Sequence, residues 1–234
     1  MKIMSFNTQH CLNFLERHVD YEIMARAIRD VGADVVGLNE MFDGGKFCAQ
    51  TKELSALTGL ENYYFAKAID DADGPYGNGI ISKIPFKSVE TVIIPDPSPK
   101  RPGGWYETRC VLKAELENGL RVVVTHFGLE SDEQENAVKT VLECIRDEKC
   151  ILMGDFNVEP SNELLAPIRE RLIDTSRGFC ENKLSFPSDK PRIKIDYIFV
   201  SPDIEVVGAD IPEIIASDHR PHTAEIKCMW IVDK

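Results

Sequence analysis

The chain has 234 residues, 43% hydrophobic and 28% charged, enough apolar residue for one sizeable core and too much for disorder. Its formal charge of −12 repels polyanions, which counts against a general binder of DNA, RNA or anionic membrane, although clustered Lys and Arg or a bound cation can reverse that locally. Seven scattered cysteines without CxxC spacing, no stretch of membrane-spanning length and a start (MKIMSFN) that turns polar too early for a signal peptide together predict a cytoplasmic protein with reduced thiols and no membrane anchor.

In chain order, residues 2–6 form a short apolar run that predicts a strand. A helix is expected over 21–31, where Met24, Ala27, Ile28 and Val31 share a face behind an Asp20 cap. Runs at 34–38 and 79–82 predict further strands, and the Pro- and Gly-rich stretch 95–104 (PDPSPKRPGG) reads either as a domain linker or, preferably, as a long loop over a site. The runs 109–116 and 120–125 flank Asn118-Gly119, which predicts a hairpin closed by a two-residue type I′ turn and hence some antiparallel sheet. A second helix is expected from Ser131, capped by that residue with Gln134 reaching back, and burying Val138, Val141, Leu142 and Ile145. A strand at 150–153 is followed by a third helix over 162–172, kinked at Pro167, and strands at 195–200 and 222–229 complete the set. Such a mixture predicts a sheet-rich α/β sandwich, with residues 1–234 taken as one domain.

One strand after another runs into a polar residue. Phe6 precedes Asn7, the run ending at Leu38 meets Asn39-Glu40, and Val122 to Thr125 lead into His126. Further on, Met153-Gly154 meets Asp155-Phe156-Asn157, and Ala216 precedes Ser217-Asp218-His219. Strand ends on one edge of a sheet converge, so these groups can share a cleft. Each also has a plain structural reading: Asn7, Asn39 and the GDFN stretch as turn residues, Glu40 as a solvated acid, His126 as a satisfied core histidine, SDH as a cap. Asp196, set among apolar strand residues in KIDYIF, is costly to bury without a partner. All the plain readings would have to hold at once.

The ordered set resembles the endonuclease/exonuclease/phosphatase superfamily, the metal-dependent phosphoesterases related to DNase I and the abasic-site endonucleases. The resemblance runs through Asn7 in MSFNTQ, Glu40 in VVGLNEMF, Asn78 in YGNGIISKIP, His126 in VVVTHFGL, Asp155 and Asn157 in MGDFNVEP, Asp196 in KIDYIFVS, and Asp218 and His219 in ASDHRPH. It implies an α/β (α+β) fold, a DNase I-like four-layered sandwich of two packed, mostly antiparallel sheets flanked by helices. It also implies roles: Glu40 as the principal Mg²⁺ or Mn²⁺ ligand with Asn7 and Asp218 nearby, Asp155 with Asn157 orienting or deprotonating the attacking water, His219 bonding a phosphate oxygen while Asp196 aligns it, and His126 donating to transition-state oxygens. Asn78 and Arg109 are expected to contact substrate. In one departure, the residue before the metal glutamate is Asn39 where the family commonly has Gln.

Short loops, no basic arm and no hydrophobic hairpin for a membrane favour a small soluble phosphodiester or phosphomonoester over nucleic acid, acted on by a monomer. Cleavage of DNA or RNA is the alternative, predicting a positive groove lined by Lys100, Arg101, Arg109 and Arg177. A catalytically inactive scaffold of the same fold is a third reading, opposed by the complete set of expected side chains.

Overall fold

Strands outnumber helices, and the computed structural model, which describes residues 1–228, sorts twelve of them into two sheets of six. The first sheet holds β1 (Lys2–Asn7), β2 (Val35–Phe42), β3 (Asn62–Asp71), β4 (Gly74–Ser82), β11 (Ile204–Asp210) and β12 (His222–Cys228), in the order β11-β12-β1-β2-β4-β3. The second holds β5 (Phe86–Ile93), β6 (Cys110–Leu116), β7 (Arg121–His126), β8 (Cys150–Asp155), β9 (Ile173–Asp174) and β10 (Asp196–Val200), in the order β5-β6-β7-β8-β10-β9. The Met229 end of the last predicted strand lies outside the described residues.

Inward-facing side chains such as Ile3, Val35 and Ile80 from the first sheet meet Leu112, Val122, Val124, Ile151 and Ile198 from the second, forming the central apolar layer. Its closeness is visible at Gly37, where a Cβ would fall 2.6 Å from Met153 Sδ in the other sheet. Outside the first sheet, α1 (Tyr21–Val31) and α2 (Gln50–Thr58) cover Met4, Val36, Leu38 and Ile81 with Met24, Ile28 and Leu54. Outside the second, α3 (Ser131–Cys144) and α4 (Ala166–Arg169) cover Val123, Leu152 and Phe199 with Ala137, Val141 and Ile168. Helix, sheet, sheet, helix: the expected four layers are present, and only the β1–β2 and β7–β8 pairs run parallel.

Three local expectations are corrected, and the choice left open for residues 95–104 is decided for a loop. The Glu117–Gly119 hairpin exists, but Leu116 pairs with Leu120 around a three-residue loop and positive φ falls on Gly119 alone, so the turn is not type I′. Glu130, not Ser131, caps α3, and Glu133 rather than Gln134 reaches back to accept the Glu130 N–H at 3.3 Å. Gln134 is instead drawn inward to the carbonyls of Gly128 and Asn157. The third helix is a 3-10 turn (Glu163–Leu165) running into the four residues of α4, with Pro167 in its first turn, where a missing N–H costs nothing. Finally, residues 95–104 do not link domains: Ile93 and Cys110 on either side pair directly, so the stretch is an excursion within one hairpin. It lies against the start of α3 through the Trp105 N–H to Glu130 and the Tyr106 hydroxyl to Asp132.

Candidate active site

The two parallel pairs decide where the polar residues go. Parallel neighbours end on the same edge, so β1 and β2 bring Asn7 level with Asn39, while β7 and β8 bring His126 level with Asp155. The strand β10, antiparallel to β8, starts where β8 ends and sets Asp196 opposite Asp155. Because the sheets pack face to face, both edges open on one cleft. Asn7 Nδ2 spans it, donating to Glu40 Oε1 at 3.0 Å and to Asp155 Oδ2 at 3.1 Å.

Asp155 lies at the centre and is buried. The strand residue before it has to be Gly154, whose φ of 149° is open to glycine and whose Cβ would fall 1.8 Å from the Thr125 carbonyl oxygen of β7. Asp155 Oδ1 accepts the Asn157 backbone N–H at 2.9 Å, and Oδ2 faces the Nε2 atoms of His126 and His219, each at 3.6 Å. Burial, with the Asp196 charge adding to it, pushes the Asp155 pKa up against the pull of His219, Asn157 and Asn7.

His219 is held through Nδ1, 2.9 Å from Asp196 Oδ2. Burial alone would lower its pKa, but Asp196, Asp155 and Asp218 overcome that and raise it to about 10, so the ring is an imidazolium at neutral pH. With Nδ1–H committed to Asp196, Nε2–H is aimed towards Asp155 and the cleft. Across from it, His126 is the opposite case. Burial, then the charges of Arg109 and His219, drive its pKa well down, leaving a neutral ring. Arg109 donates to Nδ1 at 2.9 Å, which leaves the proton on Nε2, facing Asp155. Asn157 Nδ2 donates to the Phe127 carbonyl at 2.9 Å and so lies beside the same nitrogen.

Glu40 sits in a β-bulge between Leu38 and Met41 with φ 59°, a left-handed conformation that costs roughly 1–2 kcal/mol for a residue with a Cβ. The bulge turns its carboxylate along the edge towards Asp218. Burial raises the Asp218 pKa, His219 opposes it, and Glu40 adds to the rise. Asn7 Oδ1 accepts the Gln9 N–H at 3.0 Å, so in this arrangement Asn7 offers the acids a donor rather than a free oxygen. In all, four carboxylates (Glu40, Asp155, Asp196, Asp218) gather at the cleft, three of them against the one imidazolium and Glu40 beside Asp218, and Asp196 Oδ1 is buried with no partner among the described residues. That surplus of hard oxygen donors fits a divalent cation. The ligand atoms of Asp155, Asp196 and His219 also fall within 4.8 Å of one another. An imidazolium has no lone pair to give, however, which leaves Glu40 and Asp218 as the better-suited pair.

The endonuclease/exonuclease/phosphatase family model matches residues 4–219. The chain belongs to this family. Its fold is shared with an endonuclease/exonuclease/phosphatase from Beutenbergia cavernae (21% identity, 97% of this chain and 71% of that one, TM-score 0.77) and with a mannosyl-6-phosphatase from Bacteroides thetaiotaomicron (17%, 97% and 99%, TM-score 0.76). The human Nocturnin catalytic domain is similar in the same way (16%, 97% and 93%, TM-score 0.68). At these identities the likeness is one of fold, and no curated protein sequence matches the chain.

Within this family frame, two residues expected to meet substrate are otherwise engaged. The Asn78 amide accepts from Asn39 at 2.8 Å and donates to the Cys110 carbonyl at 2.9 Å, leaving it between the sheets instead of in the cleft. Arg109 pairs with Glu107 at 2.9 Å and supports His126 from behind. Asn39, at the family's glutamine position, is fully buried: it donates to Asn78 and to the Thr125 carbonyl and accepts the Asp155 N–H. Sequence reading passed over His10. Gln9, His10 and Cys11 carry φ of 46°, 47° and 61°, three left-handed non-glycine residues in a row, at a combined cost of about 3–6 kcal/mol, and nothing in their residue types announces such a turn. The turn brings His10 Nδ1 to 3.9 Å from Glu40 Oε2.

Proposed function

We propose that this family member is a divalent-metal-dependent phosphoesterase that hydrolyses a small soluble phosphate ester by in-line attack of water. The supporting observation is the clamp of His219 between Asp196 and Asp155, a permanent positive donor beside a buried acid whose pKa is raised towards neutrality. A cation held by Glu40 and Asp218, magnesium or manganese, would supply neutralisation of the phosphate charge. Asp155 orients the attacking water and takes its proton at Oδ2, with Asn7 and the Asn157 N–H fixing the carboxylate. His219 donates from Nε2 to a phosphate oxygen, Asp196 keeps that ring charged and aligned, and neutral His126 donates from Nε2 to charge developing on the opposite side.

The small-substrate reading is favoured over nucleic acid by the fate of the cations a groove would need. Lys100 pairs with Asp96, Arg101 with Asp132 and Arg109 with Glu107, while Arg177 lines a separate hollow with Lys194 and Asp174. The Bacteroides neighbour is named a phosphatase of a sugar phosphate, in line with a small ester. We place the protein in the cytoplasm as a monomer, on its cysteine usage and charge. The deciding experiment is a screen of purified protein with Mg²⁺ or Mn²⁺ against sugar phosphates, nucleotides, inositol phosphates, a chromogenic phosphodiester, short RNA and supercoiled DNA. Metal-dependent turnover of a small ester is expected. Preferential nicking of the DNA at low enzyme concentration would reverse the choice, and metal-independent turnover would remove the cation from it.

A further inference from the structure

The left-handed turn at His10 is held in place from several sides. Gln50, fully buried on α2, donates from Nε2 to the His10 carbonyl at 2.8 Å and accepts the Phe42 N–H at Oε1, tying the turn to the bulged strand that carries Glu40. Asn7 Oδ1 receives Gln9 N–H, and the Cys11 carbonyl receives Asp20 N–H. Strain that is fixed by so many bonds marks a side chain that has to be somewhere. What these bonds position is a ring that makes no hydrogen bond of its own among the described residues. Its side chain is 32% exposed and its Nδ1 is beyond hydrogen-bonding reach of Glu40 Oε2.

Around that ring stands an aromatic wall. His10 meets Phe42 edge-on (5.9 Å, 70°) and Phe47 at a tilt (5.9 Å, 39°), and Phe42 backs onto Phe47 and Tyr76. Lys46, paired with Asp73, lies 5.4 Å from the Phe47 ring centre and bounds the outer side. Phe42 and Tyr76 are buried, so His10 and Phe47 are the rings a ligand could touch. Their mutual tilt offers no flat slot for a nucleobase. It suits a saturated ring that lays its C–H face on an aromatic edge and brings hydroxyl groups to an imidazole nitrogen and a carboxylate.

We propose that His10 is a substrate-contacting residue, and that with Phe47 it selects phosphate esters whose alcohol is a hydroxyl-bearing saturated ring: sugar phosphates. The inference rests on the phosphoesterase reading and names its substrate class.

The test uses the full chain loaded with Mg²⁺, with glucose 6-phosphate and adenosine 5′-monophosphate as probes, and the variant His10→Gly. Glycine accepts the left-handed backbone, so the variant should melt no lower than wild type. Calorimetry, with Asp155→Ala in both chains so that the probes are not consumed, should show the chain with His10 binding the sugar phosphate more tightly than the nucleotide, and the His10→Gly chain losing about tenfold in sugar-phosphate affinity. In turnover the loss should fall on KM by a similar factor, with kcat within about threefold, a split that a purely structural histidine would not give. Equal affinity in the two chains, no binding of the sugar phosphate, or preference for the nucleotide overturns the assignment. Failure of the wild type to hydrolyse any ester with either cation sinks the phosphoesterase reading instead, and the binding comparison still judges His10.

Discussion

Asn39 Oδ1 accepts the backbone N–H of Asp155 at 3.0 Å, so the residue at the centre of the site hangs from a side chain in the opposite sheet. The same amide donates to the Thr125 carbonyl at 2.9 Å, and the two bonds lock the ends of β2, β7 and β8 together. Asn39→Ala leaves a buried N–H and two buried acceptors without their partner. A loss of about 2–4 kcal/mol is expected in urea unfolding, together with a fall in kcat, because Asp155 loses its anchor. An unchanged unfolding midpoint would show that this link between the sheets is dispensable.

Asp196→Asn should keep the fold and the hydrogen bond in outline but remove the charge that keeps His219 protonated. The His219 pKa, now raised to about 10, is expected to drop by several units when followed by NMR of its ring. Turnover should fall by roughly 10²–10⁴ with little change in KM. Asp155→Ala is expected to abolish turnover in a protein that still melts cooperatively; wild-type rates there would exclude Asp155 from proton transfer.

Metal binding offers a check that does not need a substrate. Glu40→Ala should weaken Mg²⁺ or Mn²⁺ binding by at least about tenfold in calorimetry, and Asp218→Asn by a comparable factor. Retention of full affinity in both variants would move the cation to the Asp155, Asp196 and His219 group.

A pH effect on stability is expected from His222, which lies behind Asp196 and has no contact with Glu40 or Asp218 among its hydrogen bonds. Its ring is fully buried between Thr175 and the Asp196 carbonyl, and burial, then the Lys194 charge, lowers its pKa to about 4 despite Asp174. The unfolded chain takes up that proton near pH 6.5 and the folded chain does not, so stability present above pH 6.5 is lost as pH falls towards 4, by about 3 kcal/mol at most. In His222→Gln that portion of the acid-side slope should flatten. A wild-type slope in the variant would assign the acid sensitivity to other groups.

How much of this could be read in the sequence follows a physical division. Strands β1, β2, β4, β6, β7, β8, β10 and β12 were expected from their apolar runs, because all lie inside a sheet and are buried on both faces at least in part. The strands passed over, β3, β5, β9 and β11, are the four sheet edges, whose mixed composition keeps an open edge from pairing with another chain and so dilutes the strand signal. Helix α2 escaped notice for a related reason: the face it buries is Gln50, Thr51, Leu54 and Ser55, with one apolar residue among them. The acids and histidines were legible because polar residues follow the apolar runs so abruptly, but no strand runs into Asp218 and His219, which lie in the stretch between β11 and β12. Asn39 and Asn78 were not assignable, since an amide clamp between sheets and an amide in a turn look alike before the sheets are packed.

Strand β1 enters its sheet between β2 and β12, and the N-terminal ammonium bonds the Ile226 carbonyl at 2.9 Å. β1 therefore lies between a neighbour close to it in sequence, β2, and one from the far end of the described residues, β12, so the strand that carries Asn7 is bracketed only once that distant segment has docked. Until that docking one side of β1 is bare backbone, open to wrong neighbours, and the cleft that Asn7 spans has one wall missing.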